Sequence, residues 1–256
     1  IETVKNYKPD LVLYSKFDNW PTHTIEWTKE SGIHTHYWYM DPMIQLTNGL
    51  VMHAVAADTS SCTGVAQTEY LKKMGANCYH IQEGVDPHVY YPVLSEGGIL
   101  YDVGFVGSAT EERLDLMSVL RDMGLNVKPV GPGWDDDKPV GVEIFRELCG
   151  ASLLMLGIDR ELFTKGYFSD RAFRVMACGG TYITTAPPGT EEWLKDGWNC
   201  ITTDVPSGFP EFVKTTVDDT DYDTIHGIAD NAIEYVRENH KWTDAMGRVI
   251  KVVENA

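Results

Sequence analysis

Two arginines, Arg171 and Arg174, stand one turn apart at the start of a short apolar helix in the stretch FSDRAFRVMACGG. Residues three apart share a helix face, and Ser169 just ahead of them can accept a backbone N–H of the first turn. A helix start attracts anions through its unpaired N–H groups and partial positive charge. A guanidinium bonds two oxygens of one anion at once. Phe168, Ser169, Asp170, Arg171 and Arg174 therefore read as a seat for a diphosphate. A glycine loop at 104–108 would add amides from Gly107 and Ser108, and Gly131 and Gly133 would border a base or ribose. Gly180, Thr181 and the turn at Thr190, Glu191 and Glu192 would border a sugar. The competing reading is a pair of surface arginines bonded to the chain's many carboxylates.

Other residues could act on an acceptor. Asp18 and Asp41 follow predicted strands and His36 lies on one, with Asp41 as a hydroxyl-orienting or basic group and His36 as a second candidate. His34 and His36 face one side of a strand, and with His53 on a neighbouring strand they would supply three zinc ligands without a fourth; a buried aromatic-rich strand accounts for them as well. Asp135, Asp136 and Asp137 contain a DxD pair able to hold a divalent ion, but they follow a Gly-Pro-Gly-Trp turn and read as a solvated loop. No metal site is expected. GFVGS lacks the order of a nucleophile elbow, and no third glycine completes a dinucleotide fingerprint after Gly133.

The elements that must position these groups alternate as in a parallel α/β protein. Strands are predicted at 10–14, 33–39, 51–56 and 77–81, then at 102–106, 126–130, 152–156, 181–185 and 200–202. Helices are predicted at 65–74, 109–123, 173–178, 222–239 and 242–254; a capping box from Ser108 to Glu111 would open the second, with Leu114, Met117 and Leu120 on its inner face. The Pro- and Gly-rich stretch 85–102 reads as a linker. Polar residues collect after the strands of both halves, and ligands of open α/β sheets bind beyond the carboxyl ends of strands. The organisation expected is residues 1–95 as an acceptor-side domain, 96–238 as a donor domain, and 239–256 as a closing helix.

The chain has 256 residues, a net charge of −17, 43% apolar and 23% charged residues. That charge disfavours nucleic acid, which needs a basic face, and speaks against an enzyme that modifies DNA. No apolar run reaches the length of a transmembrane helix. Five scattered cysteines with no CxxC pair fit reduced thiols in a cytoplasmic protein.

The segment FSDRAFRVMACGGTYITTAPPGTEEWLKDGWNCI, followed by ENHKWTDAMGRVI, resembles the second half of GT-B glycosyltransferases, most closely the spore-maturation (CgeB-type) group. VGFVGSATEERLDLMSVLRDMGLNVKPVGPGW resembles the start of that half, and CTGVAQTEYLKKMGANCYHIQEGVDPHVYYP the end of the acceptor half; together the likeness covers most of residues 60–256. It implies two Rossmann-like domains facing a cleft. A nucleotide-diphosphate sugar (a UDP- or GDP-sugar) would sit on the second, and an acceptor glycan, protein or small molecule on the first. It also implies metal-independent transfer with retention and a last helix that crosses back. The chain departs from the pattern in three places. Gly166 and Arg174 stand where related retaining enzymes carry two glutamates, Arg248 lies three positions beyond the spacing of the closing His-x-aromatic motif of His240 and Trp242, and the first half has four predicted strands where six or seven are usual. A missing amino-terminal βαβ unit is therefore expected, and the alternative is a non-catalytic nucleotide- or glycan-binding relative in surface or coat assembly.

Overall fold

The computed structural model describes residues 1–15, 21–134 and 137–256. Two all-parallel sheets make up the frame. The first holds β1 (Leu11–Ser15), β2 (His34–Tyr39), β3 (Thr59–Cys62) and β4 (Cys78–His80), in chain order. The second holds β5 (Tyr101–Val106), β6 (Val127–Val130), β7 (Ser152–Gly157), β8 (Tyr182–Thr185) and β9 (Ile201–Thr203), in the order β6-β5-β7-β8-β9. Helices α1 (Glu2–Tyr7), α2 (His23–Glu30), α3 (Asn48–Ala56) and α4 (Val65–Lys73) accompany the first sheet. Helices α5 (Glu111–Asp122), α6 (Val142–Ala151), α7 (Arg171–Ala177), α8 (Phe209–Asp219), α9 (Tyr222–Asn239) and α10 (Trp242–Glu254) follow. The α/β class with two Rossmann-like sheets is thus the observed architecture.

The second sheet is buried on both faces, as a parallel sheet with crossover helices must be. Val103, Phe105, Leu154, Leu156 and Ile183 pack against Met117 and Leu120 of α5 and Val213 of α8. On the other face Met155 and Tyr182 meet Phe173 and Met176 of α7 and Ala232 and Val236 of α9. α10 leaves this domain and packs on the first: Ala245 and Val249 lie with Trp38 of β2 and Ile81, and Trp242 meets Trp38 edge-on at 5.9 Å between ring centroids.

The first sheet differs in kind. β3 is TSSC, and all four residues are buried. Two of its three hydroxyls are satisfied by β2: Thr59 Oγ1 lies 2.9 Å from His36 Nδ1 and 3.2 Å from His34 Nε2, and Ser61 Oγ lies 2.9 Å from His36 Nε2. Residues 51–56, expected as a strand, are instead the body of α3, whose Thr47 side chain accepts from Leu50 N. VMHAVA is short and apolar apart from His53, so its periodicity fits either element, and the buried strand is the polar run after it. The capping box at Ser108 is also absent. The N-cap is Thr110, and Leu114 points outward while Met117 and Leu120 are buried.

Candidate functional site

In an order such as β6-β5-β7, the chain leaves β5 toward one edge and returns on its other side at β7. The loops after β5 and β7 therefore diverge to opposite faces and open a crevice at their carboxyl ends. Gly107 and Ser108 leave β5 there. Gly131, at φ +133°, lies so close to them that a Cβ would stand 2.5 Å from Gly107 O. Trp134 Nε1 donates to Gly107 O at 2.7 Å, and Ala109 N donates to Pro132 O at 2.8 Å. Gly131 and Gly133 thus let the β5 and β6 loops lie against each other.

Three arginines gather at this crevice. Arg113, buried in the first turn of α5, donates to Ser108 O at 2.9 Å and to Ile158 O at 2.6 Å. Arg171 donates from Nε to Val106 O at 2.8 Å, and from Nη1 to Ile158 O at 3.4 Å and to Asp159 Oδ1 at 3.3 Å. Their guanidinium carbons stand 5.1 and 5.2 Å from the centre of the Phe105 ring. Burial and then Arg171 lower the Arg113 pKa to about 10, with exposed Arg160 adding to the effect, so Arg113 stays cationic at neutral pH. Among the described residues Asp159 acts on Arg113, and Arg113 and Arg160 act on the exposed Glu112, so three guanidinium groups face these two carboxylates, with Asp137 on the neighbouring β6 loop.

The paired clamp expected from Arg171 and Arg174 does not form. Arg171 ties the ends of β5 and β7 together and forms an ion pair with Asp159, whose side chain is 5% exposed. Its Nη2 edge lies by Gly107, so the structure brings Arg171 and the glycine loop together. Arg174 turns elsewhere, to an ion pair with Asp170 and to the Tyr90 ring. The first turn of α7 is also occupied by the chain's own groups: Ser169 N donates to Asp159 Oδ2 at 3.1 Å, and Ser169 Oγ accepts from Arg171 N at 3.3 Å. In a chain so rich in carboxylates, side chains fill the seat expected for an external anion. Phe168 is buried against Phe173 and Trp193.

Three further expectations are corrected by position. His36 is fully buried with both ring nitrogens bonded to β3 hydroxyls, and burial, then His34, pushes its pKa down to about 4; it is a neutral part of the sheet and cannot meet an acceptor. Gly180 and Thr181 precede β8, at the end of the sheet away from the crevice, where Thr181 Oγ1 donates to Ile225 O. His53 lies on α3 and edges against Tyr37, so it shares no strand face with His34 and His36. Among the described residues no group of three or more His, Cys, Asp or Glu is arranged to hold a metal. Asp18, Asp135 and Asp136 lie outside the described residues, and Asp137 accepts from Gly133 N at 2.7 Å.

The Thr190 turn follows β8 at the crevice end and is internally braced. Thr190 Oγ1 donates to Pro187 O at 2.7 Å, Glu191 accepts from Gly189 N at 3.1 Å, and Glu192 O accepts from Tyr235 OH at 3.1 Å. Pro188 O in turn accepts from Gly166 N at 2.8 Å. Gly166, at φ +69°, is pressed against Val65 of α4, and any Cβ there would collide with that side chain. Ala66 N donates to Lys165 O at 3.0 Å, and Ile44 N to Glu161 Oε2 at 3.1 Å. The loop after β7 therefore crosses to the first domain and closes one side of the gap.

Beneath that loop lies an interdomain cavity of about 320 Å³, lined by Ser15, Met40, Asp41, Glu83, Tyr167, Ser169 and Asp170. Asp41 enters at the end of β2, with its carbonyl accepting from Gln67 Nε2. Glu83 enters from the segment after β4. Its pKa is pushed up to about 8, by burial first and then by Asp170 and Asp41, against the opposing pull of Arg174. Burial, Asp159 and these same carboxylates hold the Tyr167 phenol protonated. Sequence reasoning gave Glu83 no role. Its one signal was a place after a strand, in IQEGVD.

The chain belongs to a family described as glycosyl transferase-like, whose model matches residues 113–251. No curated protein matches the sequence. Among solved structures, Anabaena Alr3699/HepE in complex with UDP and glucose superposes with a TM-score of 0.73 at 14% identity, covering 100% of this chain and 81% of that one. A glycosyltransferase from Rickettsia africae ESF-5 gives 0.71 at 11% identity, covering 99% and 78%. Sucrose-phosphate synthase from Thermosynechococcus elongatus gives 0.65 at 13% identity, covering 98% and 75%. The fold is GT-B. Among the described residues no helix is long and apolar enough to cross a membrane.

Proposed function

We propose that this chain is a cytoplasmic glycosyltransferase that moves a hexose from a nucleotide-diphosphate sugar, UDP- or GDP-linked, to an acceptor hydroxyl, with retention and without a bound metal. The observation that carries this reading is the arginine surplus at the β5/β7 crevice, beside the Gly107-Ser108 loop and next to a carboxylate-lined interdomain cavity. The diphosphate would lie along Gly107, Ser108 and the outer edge of Arg171, with Arg113 and Arg160 supplying field. There the positive surplus would stabilise the charge that builds on the leaving phosphate. The base or ribose would border Gly131 and Gly133, and the sugar would point toward Ser169, Asp170 and the Thr190–Glu192 turn. Asp41 would orient the acceptor hydroxyl, which a glycan, a protein or a small molecule could present. Five buried, unpaired cysteines support the cytoplasmic assignment. Within the family, the SDRAF and ENHKW segments favour the spore-maturation (CgeB-type) group. Uridine is the first base to test because structural neighbours were solved with UDP and UDP-glucose.

Gly166 and Arg174, in place of the two glutamates, favour a second reading: a non-catalytic nucleotide or glycan binder in surface or coat assembly. One experiment separates the two. Thermal shift against UDP, GDP, ADP and CMP should show one nucleotide diphosphate raising the melt, with a ligand at 100 times its Kd adding about 2.7 kcal/mol. Turnover of the matching sugar donor then marks an enzyme. Binding with no turnover of any donor across acceptor pools marks the binder, and no shift with any nucleotide ends the enzyme reading and the nucleotide-binding form of the second.

A further inference from the structure

We propose that Glu83 is a catalytic residue of the cleft, which takes the proton from the acceptor hydroxyl as that oxygen attacks the anomeric carbon. This inference rests on the sugar-transfer reading above. In the step, which keeps the anomeric configuration, the acceptor oxygen approaches on the face from which the diphosphate departs, and one of its lone pairs forms the new bond to the anomeric carbon. The bond from that carbon to the diphosphate oxygen breaks, and its electron pair stays on the diphosphate. The acceptor proton passes to the Glu83 carboxylate and is later released to solvent.

Geometry singles out this residue. Glu83 lies at the junction of the two domains and lines the 320 Å³ cavity opposite Asp170, with Asp41 on the first-domain side. Its carboxyl has no hydrogen bond among the described residues, whereas the backbone around it is pinned from three directions. Ile81 N donates to Cys62 O at 3.1 Å in the first domain. Gln82 Nε2 donates to Phe168 O at 3.5 Å in the second. Val85 N donates to His240 O at 2.9 Å, and Val85 O accepts from Trp242 N at 3.2 Å on the crossing segment. Gly84 is packed so tightly that a Cβ would stand 2.5 Å from the Lys241 carbonyl carbon. A carboxyl left without a partner on a backbone held this firmly is preorganised for a ligand.

Among the described residues, the charged and titratable groups facing Glu83 are Asp41 after β2, Tyr167 on the crossing loop, Asp170 and Arg174 at α7. His240 and Lys241 meet the segment through backbone. Burial and two carboxylates outweigh Arg174 and make Glu83 a stronger base than a free glutamate, with its titration near working pH, where proton transfer is most effective.

The test uses the full chain with UDP and UDP-glucose as probes and water standing in for the acceptor. UDP affinity and UDP release are measured from pH 6 to 9.5 for the wild type, Glu83→Gln and Glu83→Asp. Wild-type release should climb about tenfold per pH unit and level off near pH 8. Glu83→Gln should bind UDP within twofold of wild type yet release it at least 100-fold more slowly, with no pH limb. Glu83→Asp should keep a limb at an intermediate rate. Release by Glu83→Gln within threefold of wild type, or equal loss of binding and turnover in both variants, overturns the proton role. A wild type that binds UDP but releases none from UDP-glucose at any pH overturns it too and, with no turnover of any other donor, marks the non-catalytic binder. Absence of binding to any nucleotide is a different result, and it removes the sugar-transfer reading itself.

Discussion

The two ends of the cleft are built from opposite charge surpluses. At the β5/β7 crevice Arg113, Arg160 and Arg171 face Asp159 and the rim carboxylate Glu112; in the cavity beside it Asp41, Glu83 and Asp170 face Arg174. A chain of net charge −17 would be expected to neutralise its arginines wherever they occur. It does so at Arg174, on a partly exposed site, and only in part at the switch point, where Arg171 is paired with Asp159 while Arg113 donates to carbonyl oxygens alone. The contrast teaches that position in the fold, more than residue type, decides which arginine remains available to an anion. Under the proposed function, the arginine end would take the phosphate and the carboxylate-lined end the hydroxyl proton.

The sharpest way to break this contrast is to remove one arginine from each end. Arg171→Met should abolish measurable UDP binding, at least a 100-fold loss, and should also destabilise the fold by roughly 3–5 kcal/mol, because Asp159 is left buried without its partner. Arg174→Met should change UDP affinity less than threefold and stability by about 0–1 kcal/mol, as expected of a half-exposed pair. Isothermal calorimetry and urea melts read both. Equal effects of the two substitutions would show that the clamp predicted from spacing does form in solution.

That pair of outcomes also marks how far sequence could reach. Helix-face spacing correctly put Arg171 and Arg174 on one short helix, but not the direction of each side chain, because the Arg171 partners Asp159 and Val106 lie 12 and 65 residues away. α9 and α10 were legible to the residue, since their apolar stripes are long and bounded by Asp221 and the His240 break. β3 was not: TSSC is a core strand only because His36 stands beside it with two nitrogens to share. Glu83 was the least legible, for its character comes from Asp41, Asp170 and Arg174, which only the assembled domains bring near.

The Gly166 departure can be probed next. Gly166→Glu would restore one of the two glutamates of related retaining enzymes, yet φ +69° and the contact with Val65 oppose any side chain. We expect a loss of roughly 2–4 kcal/mol in urea melts and no gain in UDP affinity. A stable variant that binds UDP more tightly would mean that the loop after β7 can rise off α4, and that the closed side of the cavity is a movable wall.

The smallest effect is the most specific to the carboxylate-rich end, and its sign is fixed by linkage. A glutamate whose folded pKa lies near 8, above its ordinary value of 4.5, binds more protons folded than unfolded between those two pH values. Its contribution to stability is complete below pH 4.5 and is lost as pH rises toward 8. Glu83→Gln cannot ionise and is freed from that loss. Its melting temperature should match wild type near pH 4 and exceed it by a few degrees at pH 8.5, a gap that calorimetric scans at the two pH values resolve. A Glu83→Gln melt that runs parallel to wild type would mean that the carboxyl ionises freely in the cleft and that the neighbouring Asp41 and Asp170 do not act on it.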